Sequence, residues 1–372
     1  MSSALPIVHQ SDLSSFRRCR RRWDITSYQR QNFEPIDRTS KHLWFGSAFH
    51  FALEDLHGVK NFPSAWEAFQ AYSEATPDEL IPDEHGLLME MGQGMLSYYE
   101  KHWLPRRNDM LYPVYKGGPT VEVNFAVPII DPRDGQAKGT LKGVFDGLCR
   151  DAYGRLWVVE YKTAIQFDIN KLSLDFQTTA YTYAACQMFG KSIEGVMYLQ
   201  FYKGTAEAPE ELKRGGISVK QNQRTTHALY KEALIRTYGS WSNVPLDTPH
   251  KAGATTYREY LEDLELGEDE NGDRLIRRDF VRRTPEELRT FALNTCEQLE
   301  DMCSPTVYLY PNPTKDCSWD CDAAGVCMSM MDGGDWESLL QETFKIRTAD
   351  QRTIRATVFE RLKKKGLVKT AP

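Results

Sequence analysis

Apolar and polar positions alternate with a period of two through parts of residues 121 to 202, and the alternation predicts strands. Leu156, Val158, Glu160 and Lys162 share one parity, while Trp157, Val159 and Tyr161 share the other, so Glu160 and Lys162 point the same way. The stretch 150–155 (Arg-Asp-Ala-Tyr-Gly-Arg) is polar and carries a glycine. It predicts the turn of an antiparallel hairpin whose other strand contains Gly143-Val144-Phe145-Asp146. With the turn centred near Tyr153, Asp146 falls roughly opposite Glu160, and a slip of one residue turns one of them away. The segment Val121 to Val127 alternates cleanly with Glu122 on its polar face, where a solvated strand residue is the expectation and reach to a metal site at the hairpin through water the alternative. An apolar strand follows from Gly195 to Tyr202.

Elsewhere the spacing is helical. Residues 1 to 110 read as mainly helical, with Trp44, Phe45, Trp66, Phe69, Tyr98, Tyr99 and Trp103 mostly core. Gly46 to Glu54 reads as the start of a helix with Ser47 near its N-terminus, which puts His50 and Glu54 on one face. A histidine there is more often a packed or surface residue than a ligand. Asn170 to Met188 is also helical and sets Gln177 and Tyr181 four apart on one face. Residues 203 to 283 are polar and rich in turn signals, including the acidic loop 267–273, and read as an elaboration. Within it Arg277 to Arg283 predicts a short basic strand leading into a helix from Pro285 to Met302. The tail after Met331 ends in a basic helix with Lys363, Lys364 and Lys365, to which the sequence assigns no role.

Charge and cysteine usage narrow the options. A net charge of −6 over 372 residues gives no general attraction to nucleic acid, so any such binding rests on local basic patches. Arg17, Arg18, Arg20, Arg21 and Arg22, with the run at 277–283, are either phosphate contacts along a single-strand channel or a solvated face. No apolar run approaches membrane-spanning length, and residues 1 to 20 lack the apolar core of an export signal. A reducing, cytoplasmic compartment is therefore expected, where clustered cysteines bind metal more often than they form disulfides. Of eight cysteines, Cys317, Cys321 and Cys327 crowd together; Cys19 is the best candidate for a fourth ligand, and Cys303 a weaker one. Cys149, Cys186 and Cys296 fall in patterns that suggest packing. Gly190-Lys191-Ser192 matches the end of a phosphate-binding loop, but Ala185 stands where its first glycine belongs, and no nucleotide hydrolysis is predicted.

Asp146, Glu160 and Lys162 group two carboxylates and an amine, which is how a protein holds a divalent cation against a phosphodiester; a surface hairpin with an ordinary Glu-Lys pair is the alternative. In order along the chain, Gly46 with His50, Gly143 with Asp146, Glu160 with Lys162, and Gln177 with Tyr181 resemble the RecB-type branch of the PD-(D/E)XK nuclease superfamily. The resemblance covers about residues 40 to 205. It implies an α/β, restriction-endonuclease-like core, a central mixed β-sheet flanked by helices in the order αβββαβ, with helical elaborations. It also implies that His50, Asp146, Glu160 and the Tyr161 carbonyl bind magnesium or manganese. Lys162 would position or activate the attacking water, and Gln177 and Tyr181 would hold the scissile strand.

Cys19 with Cys317, Cys321 and Cys327 is similar to the cysteine set of nucleases in that branch that carry a [4Fe-4S] cluster, among them the AddB nuclease domain and CRISPR-associated exonucleases. The usual triplet is C-x2-C-x5-C, whereas this chain has C-x3-C-x5-C. A four-cysteine zinc site and unligated cysteines are the other readings. The expected organisation is an N-terminal helical region (1–110), a nuclease core (111–205), an elaboration (206–303), an iron-sulfur segment stapling the chain ends (304–335) and a tail (336–372). The expected activity is a metal-dependent DNA exonuclease acting on single strands or DNA ends in replication, recombination or repair. A DNA-processing nuclease of CRISPR adaptation and a non-catalytic DNA-binding scaffold are the alternatives.

Overall fold

A computed structural model of the chain describes residues 5–36, 41–58, 60–106, 112–115, 118–167, 169–205, 207–213, 215–221, 223–249, 254–266, 272–347 and 354–368. The alternating segments form one mixed sheet: β1 (Ile7–His9), β2 (Val121–Ile130), β3 (Ala137–Arg150), β4 (Leu156–Ala164), β5 (Ile193–Tyr202) and β6 (Ile276–Val281). The long strand β3 is its spine. Antiparallel β2 runs along one edge of β3, while the other edge takes parallel β1 at Thr140–Lys142 and antiparallel β4 at Gly147–Arg150. Between those two partners, from Gly143 to Asp146, this second edge has no paired strand among the described residues. Beyond β4 lie parallel β5 and antiparallel β6. The hairpin turn is tied by Asp151, whose carboxylate accepts from Tyr153 N, Arg155 N and Trp157 Nε1.

Helices cover both faces. They are α1 (Gln10–Arg18), α2 (Arg20–Thr26), α3 (Lys41–His57), α4 (Ala65–Ala75), α5 (His85–Tyr98), α6 (Phe176–Phe189), α7 (His227–Tyr238), α8 (Tyr257–Leu266), α9 (Pro285–Cys303), α10 (Ala324–Asp332), α11 (Trp336–Thr343) and α12 (Ile354–Lys364). Trp157, Val159, Tyr161, Met197, Leu199 and Phe201 pack against α3, α4 and α5. Leu156, Val158 and Val196 pack on the other side against α1, α6 and α9. Glu160 and Lys162 share the parity of Leu156 and Val158, so they belong to the α6 side.

Several boundaries differ from the sequence reading. Helix α3 begins at Lys41, which places Ser47 in its middle; buried Trp44, Phe45 and Phe49 carry the helix through the Gly46-Ser47 pair. Helix α6 begins at Phe176, where the Asp175 side chain accepts from Thr178 N at 2.6 Å, and residues before it form only the short turn Leu172–Leu174. Strand β1 lies in a region read as helical, and three residues are too few for a period to show. Residues 272–303, read as part of the elaboration, supply edge strand β6 and helix α9, whereas α7 and α8 share a small core of their own around Ile217, Tyr230, Tyr257 and Tyr260. Of the acidic loop, 267–271 lie outside the described residues; Asp273 accepts from the Tyr98 hydroxyl at 2.6 Å. Helix α12 packs on α4 and α3, burying Val358 and Leu362.

Candidate active site

The hairpin pairing stops at Gly147–Val159, so Asp146 and Glu160 are the next residues facing each other across β3 and β4. In place of a further ladder bond, Tyr161 N donates to Asp146 Oδ2 at 2.7 Å. On the other edge the pairs Val121–Gly147 and Val123–Phe145 flank Glu122 and Asp146, which puts Glu122 opposite Asp146. Three carboxylates therefore stand side by side on three neighbouring strands. Strand β3 also turns over here: Phe145 packs on the α6 side, yet Cys149, an even number of residues on, packs on the α3 side. Glu122 itself has φ 49°, a left-handed conformation that costs a non-glycine residue about 1–3 kcal/mol. The opening in the sheet lets α3 reach in from the opposite layer, and His50 Nδ1 lies 3.3 Å from Asp146 Oδ1.

One ligand atom from each of His50, Glu122 and Asp146 lies within 4.8 Å of the others. Glu160 is buried beside them. Its Oε1 is held by Lys162 Nζ and by Gln177 Nε2 at 2.9 Å, and Gln177 is backed by the Tyr181 hydroxyl at 3.1 Å. Its Oε2 is buried with no hydrogen-bond partner among the described residues. A bare buried carboxylate oxygen is costly, and a cation satisfies it. Carboxylate oxygens with one imidazole suit magnesium or manganese, so the residues present fit a divalent ion.

The electrostatics separate the two hairpin carboxylates. Burial drives the Glu160 carboxyl well above the usual carboxylate range, and the opposing pull of Lys162 does not cancel it. Burial acts the same way on Asp146, but His50, Lys162 and the Tyr161 amide outweigh it and hold that carboxyl below its ordinary value. His50 is raised because Asp146 outweighs the effect of burial. Lys162 is likewise raised, since Glu160 and Asp146 overcome burial, and it stays an ammonium.

Glu122 is not the solvated strand residue that its place on a polar face suggested. Its side chain is 23 % exposed, and its Oε1 accepts from an Arg355 guanidinium nitrogen at 2.9 Å. The other terminal nitrogen of that guanidinium donates to Glu54 Oε2 at 2.6 Å. Arg355 lies on α12, in the tail whose residue pattern points to no role. Nothing in the local pattern ties that helix to Glu54 or Glu122, and the one available signal was a glutamate opening a strand that abuts the Asp146 strand.

Cys19, Cys317, Cys321 and Cys327 line one cavity of about 610 Å³. Two of them sit at local caps, where Arg22 N and Asn312 N approach Cys19 Sγ at 3.5 and 3.4 Å and Thr314 N approaches Cys317 Sγ at 3.4 Å, while Cys327 lies within α10 near Arg21. Among the described residues no three of these sulfurs lie within 4.8 Å of one another. A tetrahedral zinc with bonds of ~2.3 Å would draw them to about 3.8 Å. Cys303 is exposed and does not line the cavity, while Cys149 and Cys296 are buried in the core.

The arginine runs are engaged within the fold. Arg18 donates to Asp320 at 2.6 Å, Arg20 pairs with Asp301 and lies over Phe16 and Tyr310, and Arg17 lies over the Phe176 ring. In β6 and the loop after it, Arg278 is 4 % exposed, Arg277 pairs with Asp279, and Arg283 donates to Thr179 Oγ1 at 2.7 Å and to the Leu172 carbonyl at 2.8 Å. These contacts favour structural duty over a continuous phosphate track.

The central mixed sheet flanked by helices is consistent with a restriction-endonuclease-like fold, and His50, Glu122 and Asp146 form a possible metal site within it. The sequence profile of the PD-(D/E)XK nuclease superfamily matches residues 9–328. The chain belongs to this superfamily, which implies a metal-dependent nuclease. No curated protein matches the sequence. No helix among the described residues is long and apolar enough to cross a membrane.

Proposed function

We propose that the chain is a metal-dependent DNA exonuclease acting on single strands or DNA ends in replication, recombination or repair. The observation that carries the reading is the row Glu122, Asp146 and Glu160 across three strands, with a buried Glu160 oxygen left for a cation. His50, Asp146, Glu160 and the Tyr161 carbonyl, joined by Glu122, would hold magnesium or manganese. When bound, such an ion acidifies its water and neutralises charge on the phosphoryl oxygens. Lys162, paired with Glu160, would position or activate the attacking water and supply positive charge to the reacting phosphate. Gln177 fixes the Glu160 carboxylate, and Tyr181 fixes Gln177, on the side from which the strand would enter.

The four cavity cysteines are assigned to a [4Fe-4S] cluster. The spread of the sulfurs and the backbone N–H groups near Cys19 and Cys317 support a group larger than one zinc ion. Anaerobically purified protein is expected to contain iron and to shorten end-labelled linear DNA with manganese or magnesium while sparing circular single strands. Cleavage of circles would overturn the exonuclease reading, and a colourless zinc protein would overturn the cluster.

A further inference from the structure

Arg355 occupies a place that the nuclease centre does not require. It lies beyond the superfamily match at residues 9–328, on a helix whose Val358 and Leu362 anchor it to the core. Its guanidinium joins Glu54 Oε2 at 2.6 Å to Glu122 Oε1 at 2.9 Å, and Glu122 in turn offers an oxygen to the His50 and Asp146 cluster. Glu122 is thus a carboxylate shared between a guanidinium and a donor cluster. That is the layout of a two-ion centre, in which ions about 3.5–4 Å apart share a carboxylate, except that one position is filled by a side chain.

The charges agree with this reading. Ligation of an ion requires the carboxylates deprotonated and His50 neutral; in that state Glu54, Glu122, Asp146 and Glu160 face two cations, Lys162 and Arg355, and the two negative charges left over match one divalent ion. We infer that Arg355 takes the place of a second cation, so that the centre holds a single divalent ion, and that Glu54 and Glu122 form a second ion site which Arg355 keeps closed. The inference rests on the metal-dependent nuclease reading. It adds that this chain works with one ion and shows which residue enforces it.

The test counts manganese bound per chain, by calorimetry and by the electron paramagnetic resonance of free Mn(II), on the full chain without DNA. Wild type is expected to bind one ion. Folded Arg355→Met is expected to bind two, with the second lost in Arg355→Met/Glu54→Gln, while Arg355→Lys binds one. Two ions in wild type, or one in folded Arg355→Met, would overturn the inference. Should Arg355→Met fail to fold, single variants decide: Glu122→Gln is expected to weaken manganese binding about tenfold or more, and Glu54→Gln to leave it within about twofold. Equal weakening by both overturns the assignment of Glu54 to the guanidinium. A wild type that binds no manganese and cleaves no DNA rejects the underlying nuclease reading; one that binds and cleaves, with Arg355→Met still at one ion, rejects only the role of Arg355.

Discussion

His50, Glu122 and Asp146 meet, with Glu160 facing Asp146 from the next strand, because strand register and one crossing helix bring them together, whereas Cys19, Cys317, Cys321 and Cys327 line one cavity where two distant stretches of chain are held by short contacts. Around the carboxylates the supports are extensive. The sheet pairs on both sides, α3 is buried along one face, and Gln177 and Lys162 fix Glu160. Around the cysteines the supports are a small cluster of Ile25, Ala323, Val326, Leu340 and Phe344, a two-stranded ribbon of Phe33–Pro35 with Phe344–Ile346, and half-buried ion pairs such as Arg18 with Asp320. The carboxylate centre is therefore preformed by the fold. On the proposed cluster, the cysteine region would depend on what the four sulfurs bind, because metal-binding energy at such a site is also folding energy.

The largest expected effect separates the two regions by activity. Asp146→Asn or Lys162→Ala should lower metal-dependent DNA cleavage by about a thousandfold or more, while iron content and melting temperature stay near wild type. Loss of iron along with activity would break the comparison, since it would show that the two regions fold as one. The reverse substitution is Cys321→Ser, which should remove iron and lower Tm by about 5–10 °C, corresponding to a few kcal/mol. Hydrogen exchange should then rise around 10–26 and 315–346, with manganese binding retained at the carboxylates. Unchanged protection there would mean that the small apolar cluster holds the ends unaided.

The same contrast explains what could be read from the chain. Period-two alternation fixes which face each strand residue takes, so the hairpin register, the placing of Asp146 against Glu160 and the order α3, β2, β3, β4, α6, β5 were legible. Glu122 was legible only as the less favoured alternative, because its place depends on where β3 loses its partner and turns over, and no local period encodes that. Arg355 was further out of reach, since its partners Glu54 and Glu122 come from separate elements distant in sequence. The arginine-rich segments were ambiguous for a related reason: a run of positive charge reads alike whether its partners are phosphates or Asp301 and Asp320.

A pH-dependent effect sharpens the claim that the sheet side stands alone. His57 on α3 is half-buried, contacts the Tyr99 hydroxyl at 2.8 Å and stacks on Tyr112 and Tyr161; desolvation depresses its pKa to about 3. In the unfolded chain it takes up a proton below about 6.5, while the folded state does not, so stability is present above that value and falls as pH is lowered. Between pH 7.5 and 5 the contribution lost is about 2 kcal/mol. His57→Gln should flatten this dependence in denaturant melts, with or without iron. A wild-type profile matching the variant would show that the ring is protonated in place.

The smallest effect tests the weaker region at its most visible contact. Arg18 reaches Asp320 at 2.6 Å and Asp316 at 4.0 Å, joining the N-terminal helix to the cysteine segment, yet the side chains of all three are about a third exposed. Water and salt screen such pairs, so Arg18→Ala should cost under about 1 kcal/mol in iron-loaded protein and leave the iron count unchanged. If the sulfur-bound group is what joins the ends, the same substitution should matter more once iron is removed, because the ion pairs and the small apolar cluster are then the main ties left. A cost that is equal in loaded and stripped protein would show that the ion pairs and the cluster act independently, and the case for the group as the principal tie would fall with it.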